Sequence, residues 1–207
     1  MPIETWLAFV AASAVLLVIP GPTILLVVSY ALGQGRKVAF PVALGVALGD
    51  FTAMTLSMLG LGALLATSAT LFTVLKWIGA GYLIWLGIKL WRAGGTASFG
   101  EARPAGSAFG MMAHAWVVTA LNPKSITFFV AFLPQFLDPG RDFLTQLVIF
   151  EATFLTLAAA NAFGYALLAG RLRGAVRNTR VVAAINRIGG SLLIAAGVAT
   201  LAWRNAK

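Results

Sequence analysis

Apolar runs long enough to cross a lipid bilayer dominate this chain, and they restrict its fold more than any other feature. A hydrocarbon core needs about 20 apolar residues per helix. Runs of that kind occupy residues 6–31, 38–65, 71–91, 111–137, 143–169 and 181–203. In lipid every backbone N–H and C=O must be paired internally, and a helix does this within one segment. Charged residues make up only 10% of the 207, where a soluble domain carries about 25%. Short connections use up the rest of the chain. The expected fold is therefore all-α and integral to the membrane, one transport domain over 1–207 with six transmembrane helices.

The same composition removes several function classes. Without cysteine there are no disulfides, thiol relays or Cys-ligated metals. The formal net charge of +9 raises nucleic acid as a partner, but the basic residues sit in short loops between apolar runs, as at a cytoplasmic membrane face. No nucleic-acid partner is expected. Met1-Pro2-Ile3-Glu4 has no basic stretch, so no cleaved signal peptide is expected either.

Loop charge sets the expected orientation. Gly33-Gln34-Gly35-Arg36-Lys37 is basic, the connection 92–110 carries Arg92 and Arg103, and the one after the fifth run carries Arg171, Arg173, Arg177, Arg180 and Arg187. Residues 66–70 have no basic residue, and Asp138-Pro139-Gly140-Arg141-Asp142 is net acidic. The first, third and fifth loops are thus expected in the cytoplasm and both termini outside, with Arg204 and Lys207 pulling weakly the other way. Trp6, Trp91 and Trp203 fall at run ends, where interfacial indoles are expected.

The chain also matches itself. Pro22 aligns with Pro123, 101 positions on, and Gln34 with Gln135. On the same offset Asp50-x-Thr52-x-x-Thr55-Leu56 falls on Glu151-x-Thr153-x-x-Thr156-Leu157. After a longer loop, Ile78-Gly79, Leu83-Ile84 and Gly87 align with Ile188-Gly189, Leu193-Ile194 and Gly197. Three helices per half send the second half through the membrane upside down. The expected repeats are about 6–91 and 111–203, in an inverted topology characteristic of transporters.

Both halves interrupt their first helix with proline. Pro20 lacks an N–H and clashes with the preceding turn, while Gly21 suits an N-cap and Pro22 the first helical position. Asn122-Pro123-Lys124-Ser125 repeats the device with a better cap. A lone proline would be read as a packing kink. Two matched breaks, each offering unpaired N–H groups at a positive helix end, point to a site for a carboxylate near the midplane. Gly21, Pro22, Thr23, Asn122, Pro123 and Lys124 are its candidate substrate-binding residues.

Asp50 and Glu151 are the candidate acids, for proton coupling or for a substrate ammonium. A charge in mid-membrane costs about 2.5–3.5 kcal/mol on insertion scales, so it generally faces a cavity. The bland alternatives are a structural partner for Lys124 or a protonated, hydrogen-bonded acid, and Glu151 lies closer to the surface. Gly45 and Gly49 form a small-residue face expected to pack on another helix, as do Gly79 and Gly87. These faces permit a homodimer without requiring one. Arg173, Arg177 and Arg180 share a helical face suited to anionic lipid headgroups. His114, the lone histidine, reads as interfacial, and no metal site, cofactor or nucleophile–base pair is expected.

Gly21-Pro22, Gly33-Gln34-Gly35-Arg36, Gly45, Gly49 and Gly60-Leu61 resemble the opening of the lysine exporter (LysE) superfamily, closest to its homoserine/threonine resistance (RhtB) branch. Trp77–Gly87 resembles the third span of that branch, and Leu121-Asn122-Pro123-Lys124 with Phe132-Leu133-Pro134-Gln135-Phe136 its fourth. The resemblance runs through nearly the whole chain in order. It implies secondary-active, proton-driven export of amino acids, of the neutral threonine, homoserine or leucine type, across the bacterial inner membrane. The alternatives are export of basic amino acids or another small metabolite on this scaffold, then a passive channel or membrane enzyme. Arg36→Cys and Asp142→Cys are expected to react with an impermeant thiol reagent from opposite sides of the membrane; labelling from one side overturns this topology.

Overall fold

The computed structural model describes residues 1–93 and 106–203, the side chains of 170–177 and of a few other helical positions excepted. Arg103 and the side chains of Arg171, Arg173, Arg177 and Trp203 lie outside that description. The described residues are helical, with no strand. In order they form α1 (Ile3–Val18), α2 (Pro22–Gln34), α3 (Ala39–Thr67), α4 (Ala69–Arg92), α5 (Ala108–Ala120), α6 (Pro123–Thr127), α7 (Phe143–Arg177) and α8 (Thr179–Trp203). Two continuous helical stretches, Pro22–Leu64 and Phe143–Ala169, are long and apolar enough to cross a membrane. Ala108–Ala120 with Pro123–Gln135, bent by 41°, makes a third, and Ile3–Val18 is a shorter apolar helix.

The first of those stretches is folded back on itself. Thr23 lies beside Thr119 and Asn122, Tyr30 beside His114 and Gln34 beside Met111, so α2 runs against α5. Gly45 instead meets Met112 and Ala115, and Gly49 meets Trp116 and Thr119, so α3 runs with α5. The chain therefore reverses between α2 and α3. Gly35 makes the reversal at φ 74°, the one positive φ among the described residues and a conformation that favours glycine. A short 3₁₀ turn, Gly35–Val38, then leads into α3.

Other contacts give the remaining directions. Phe9 meets Phe150, Leu17 meets Asn161 and Val18 meets Tyr165, so α1 and α7 run together. Thr55 meets Glu151 and Gly62 meets Phe143, so α3 and α7 run oppositely. Beyond α6 the helix widens to a π turn over Phe128–Phe132, and Leu133 N–H bonds back to Phe128. Pro134 explains this, because it cannot donate to the carbonyl four residues back and its ring crowds that carbonyl. At the start of α7 the Thr145 hydroxyl and N–H donate to Asp142 at 2.6 and 2.7 Å and hold its carboxyl below the ordinary range.

Close approach between helices depends on the small residues. Gly79 lies against the backbone of Ala131, and Gly45 and Gly49 against that of α5. The antiparallel pair of α4 and α8 repeats one contact twice. Gly87 faces the Gly190 carbonyl and Ile194, while Gly197 faces the Ala80 carbonyl and Ile84. Adding 110 to 87, 80 and 84 gives 197, 190 and 194, so one contact maps onto the other.

The indoles do more than mark an interface. Trp6 donates to Thr153 (3.0 Å), Trp116 to Thr52 (3.1 Å) and Trp91 to Ser191 (2.9 Å). His114, expected as a plain interfacial residue, is half-buried with Nδ1 2.8 Å from the Tyr30 hydroxyl.

The interior is two apolar clusters. One is bulky, with Phe9, Met54, Met58, Phe129, Phe150 and Phe154 at its centre. The other is made of smaller side chains, among them Val27, Val28, Val42, Ala115, Ala162 and Ala166. Gly87→Ala is expected to destabilise the protein by about 1–3 kcal/mol through overpacking. Gly81→Ala, with open space around it, is expected to be neutral or mildly stabilising. Thermal unfolding in detergent separates the two.

Candidate functional site

At the end of α1 the carbonyls of Leu16, Leu17, Val18 and Ile19 lose their intrahelical partners. Pro20 has no N–H to give, and Ile19 leaves the helix at ψ 116°. Unpaired carbonyls in lipid cost several kcal/mol each, so partners must come from elsewhere. For Leu17, Val18 and Ile19 they come from the second half of the chain. Asn161 donates to the Leu17 carbonyl at 3.1 Å and the Tyr165 hydroxyl to that of Val18 at 2.9 Å, both from α7. Lys124 Nζ donates to the carbonyl of Ile19 from the start of α6. A cation there also faces the negative end of the α1 dipole.

The chain then restarts as expected. Gly21 is the N-cap of α2 in an extended conformation, with Pro22 at the first helical position. Asn122 caps α6, its Oδ1 accepting from Lys124 N–H at 3.0 Å, with Pro123 next. The two restarts touch each other. Asn122 Nδ2 donates to the Thr23 hydroxyl at 3.0 Å, and the Thr119 hydroxyl approaches the same oxygen at 3.3 Å. Asn122 is 4% exposed and Thr119 fully buried, so this network is internal.

Between the breaks lies a small cavity, lined in part by Gly21, Thr23, Asp50, Asn122, Lys124 and Ser125, with Asn161 on the α7 side. Leu16 of the bulky cluster and Ile24 and Val46 of the smaller one close its apolar walls. It therefore sits where the two clusters meet. Asp50 is 2% exposed, and its Oδ1 has no hydrogen-bond partner. Ser125 and Lys124 line the same cavity beside it. Asp50 and Lys124 do not form a direct ion pair; among the described residues Arg141–Asp138 is the one that does. About 20 Å³ of the cavity admits a water-sized body. That is room for one water and not for an amino acid.

Five residues singled out from sequence thus converge here: Gly21, Thr23, Asp50, Asn122 and Lys124. Pro22 and Pro123 are exposed on the far side of their helices, where they set the backbone and line nothing. Glu151 is also outside the lining, and its Oε1 accepts from the Thr55 hydroxyl across the α3–α7 contact. With Thr55 opposite Glu151, Asp50 lies five residues away along α3, about 7.5 Å. Sequence reasoning passed over Thr119, Ser125, Asn161 and Tyr165. Asn161 and Tyr165 stand four apart in an apolar run and so share a helix face, the signal that would have found them. No group of His, Cys, Asp or Glu among the described residues is placed to hold a metal.

Broken helices whose ends face each other across a buried cavity are the architecture of a membrane transporter. The family model for the LysE type translocator matches residues 14–203, and the chain belongs to this family. It is 34% identical over 198 residues to an uncharacterized membrane protein of Vibrio cholerae, covering 96% of this chain and 97% of that one. It is 32% identical over 206 residues to the homoserine/homoserine lactone efflux protein of Salmonella typhimurium, covering all of both chains. With the leucine efflux protein of an Enterobacter species it shares 31% identity over 166 residues, 78% of this chain and 77% of that one. No solved structure matches the chain. Two of these three relatives are named as efflux proteins, and the family is one of translocators.

Asn122→Ala removes both the α6 cap and the bond to Thr23. The expected loss is about 1–3 kcal/mol of stability, read as a lowered unfolding midpoint in detergent. Asn122→Asp, which keeps the capping oxygen, should recover part of it.

Proposed function

We propose that this chain exports amino acids across the bacterial inner membrane by exchanging them for protons, neutral amino acids such as leucine, homoserine and threonine being the favoured cargo. One observation carries the reading: a buried carboxylate with a free oxygen shares a cavity with a lysine between two facing helix breaks. A zwitterion matches that pair, its carboxylate toward Lys124 and the α2 N-terminus and its ammonium toward Asp50. The relatives' names supply homoserine and leucine as cargo. A cationic side chain suits the cavity less well, because Lys124 is already there.

Coupling follows from competition for one oxygen. Asp50 Oδ1 accepts either a substrate ammonium on the way out or a proton on the way back. One inward charge is worth about 2.3 kcal/mol per 100 mV, about fiftyfold in concentration. Glu151, engaged by Thr55 away from the cavity, joins α3 to α7 in this scheme. The cavity is too small for cargo as it stands, so the two apolar clusters act as barriers that part in turn, the bulky one on one side and the smaller one on the other.

In this reading the chain is a single domain of six transmembrane segments in two inverted three-helix repeats. The twofold contact between α4 and α8, and the opposed courses of α3 and α7, support it. Thr52 and Thr153, equivalent in the two repeats, each accept an indole N–H from the other half, a further sign of that symmetry. Arg180 and Arg187 line an open cleft at the start of α8, and anionic lipid headgroups are proposed to sit there. Asp50→Asn in proteoliposomes should lose uphill transport of leucine driven by an imposed pH gradient. Exchange of labelled for unlabelled leucine should persist at reduced affinity. Undiminished pH-driven transport in this variant excludes Asp50 as the proton carrier.

A further inference from the structure

Of the three carbonyls at the end of α1 that the second half partners, two are held by neutral donors from α7, Asn161 and Tyr165. The third, that of Ile19, is held by an ammonium, Lys124 Nζ. This ammonium belongs to a group with four rotatable carbons behind it and a charge that a carboxylate would draw away. Its stem also takes up space in the cavity. A Cβ placed on Gly21 would stand 3.2 Å from Lys124 Cδ and 3.5 Å from Nζ, so the side chain lies directly over the break. With the stem there, the cavity has room for little more than a water. Close by, Asp50 Oδ1 is buried without a partner.

We propose that Lys124 is a tethered stand-in for the ammonium of the cargo. In the empty site its Nζ occupies the Ile19 carbonyl. An amino acid enters by drawing Lys124 onto its own carboxylate and setting its own ammonium on the vacated carbonyl and on Asp50 Oδ1. This deepens the amino-acid reading above and rests on it.

Three physical points favour the exchange. The negative end of α1 is never left bare, because one ammonium replaces another. The site starts with one positive and one negative side chain and receives one of each, so no net charge is added to a low-dielectric interior. The two cargo charges of an α-amino acid are two bonds apart, and the groups that would receive them line one small cavity. Selectivity comes from the same step. An amine without a carboxylate has nothing to draw Lys124 away, so the wild-type protein refuses it. A simple helix cap at this position would give no such discrimination.

The test is equilibrium binding of L-leucine and L-leucinamide to the purified full-length protein in detergent, at a pH where both amines are protonated. Wild type is expected to bind leucine at least about tenfold more tightly than leucinamide. Lys124→Met, which keeps the stem and loses the charge, should reverse the order: leucine weakens about tenfold or more while leucinamide tightens. Equal loss of both ligands, or an unchanged preference, overturns the proposal and leaves Lys124 as a cap on α1. If the methionine variant does not purify as a folded species, Lys124→Gln makes the same test, since it can still donate to a carbonyl. It should weaken leucine selectively, and equal weakening of both ligands again overturns the idea. Wild-type protein that binds none of leucine, homoserine and threonine, and shows no counterflow of them, removes the amino-acid reading and this inference with it.

Discussion

Three carbonyl oxygens at the end of α1 organise this protein. A helix that stops inside a membrane leaves its last carbonyls without partners and without water. Here the donors come from the opposite half of the chain, two from α7 and one from the start of α6. Closing the break therefore requires the two halves to assemble, and the same contacts that satisfy it enclose the cavity. Asn122 does the corresponding work at the other break, capping its own helix while reaching across to Thr23.

Small residues make that assembly possible. Without a hydrophobic effect between helices in lipid, close backbone approach is the main attraction available. Gly45, Gly49, Gly79, Gly87 and Gly197 each sit where a Cβ would meet a neighbouring helix. Bulkier packing is kept for one cluster, where phenylalanines from α1, the π turn and α7 interlock, and the opposite cluster is mostly valine and alanine. The cavity lies where the two clusters meet. Lys124 lies over that seam, its Nζ donating to the Ile19 carbonyl.

Much of this was legible from residue order. Proline and glycine inside an apolar run state a helix break with little ambiguity, because a missing N–H cannot be restored by context. Asp50 and Lys124 stood out because charge in lipid is costly wherever it falls. The paired Asp50 and Glu151 motifs were equally visible, yet they do not share a cavity, since antiparallel packing of α3 and α7 sets Glu151 opposite Thr55. Positions that match in sequence need not be neighbours in space. His114 and Trp6, expected from their type at an interface, also make hydrogen bonds between helices.

By itself, then, the amino-acid order determined the membrane class, the places where helices stop and restart, the internal repeat and the acid and lysine worth watching. These are local or compositional properties, written in proline chemistry, hydropathy and charge. Only the tertiary structure decided which polar groups meet: that Lys124 reaches back 105 positions to the Ile19 carbonyl, that Asn161 and Tyr165 complete the same helix end, and that Asp50 keeps one oxygen free. Such pairings depend on helix rotation and on how closely glycines let backbones approach. A pattern within one helix shows which face packs closely, as Gly45 and Gly49 did, but not which helix that face will meet.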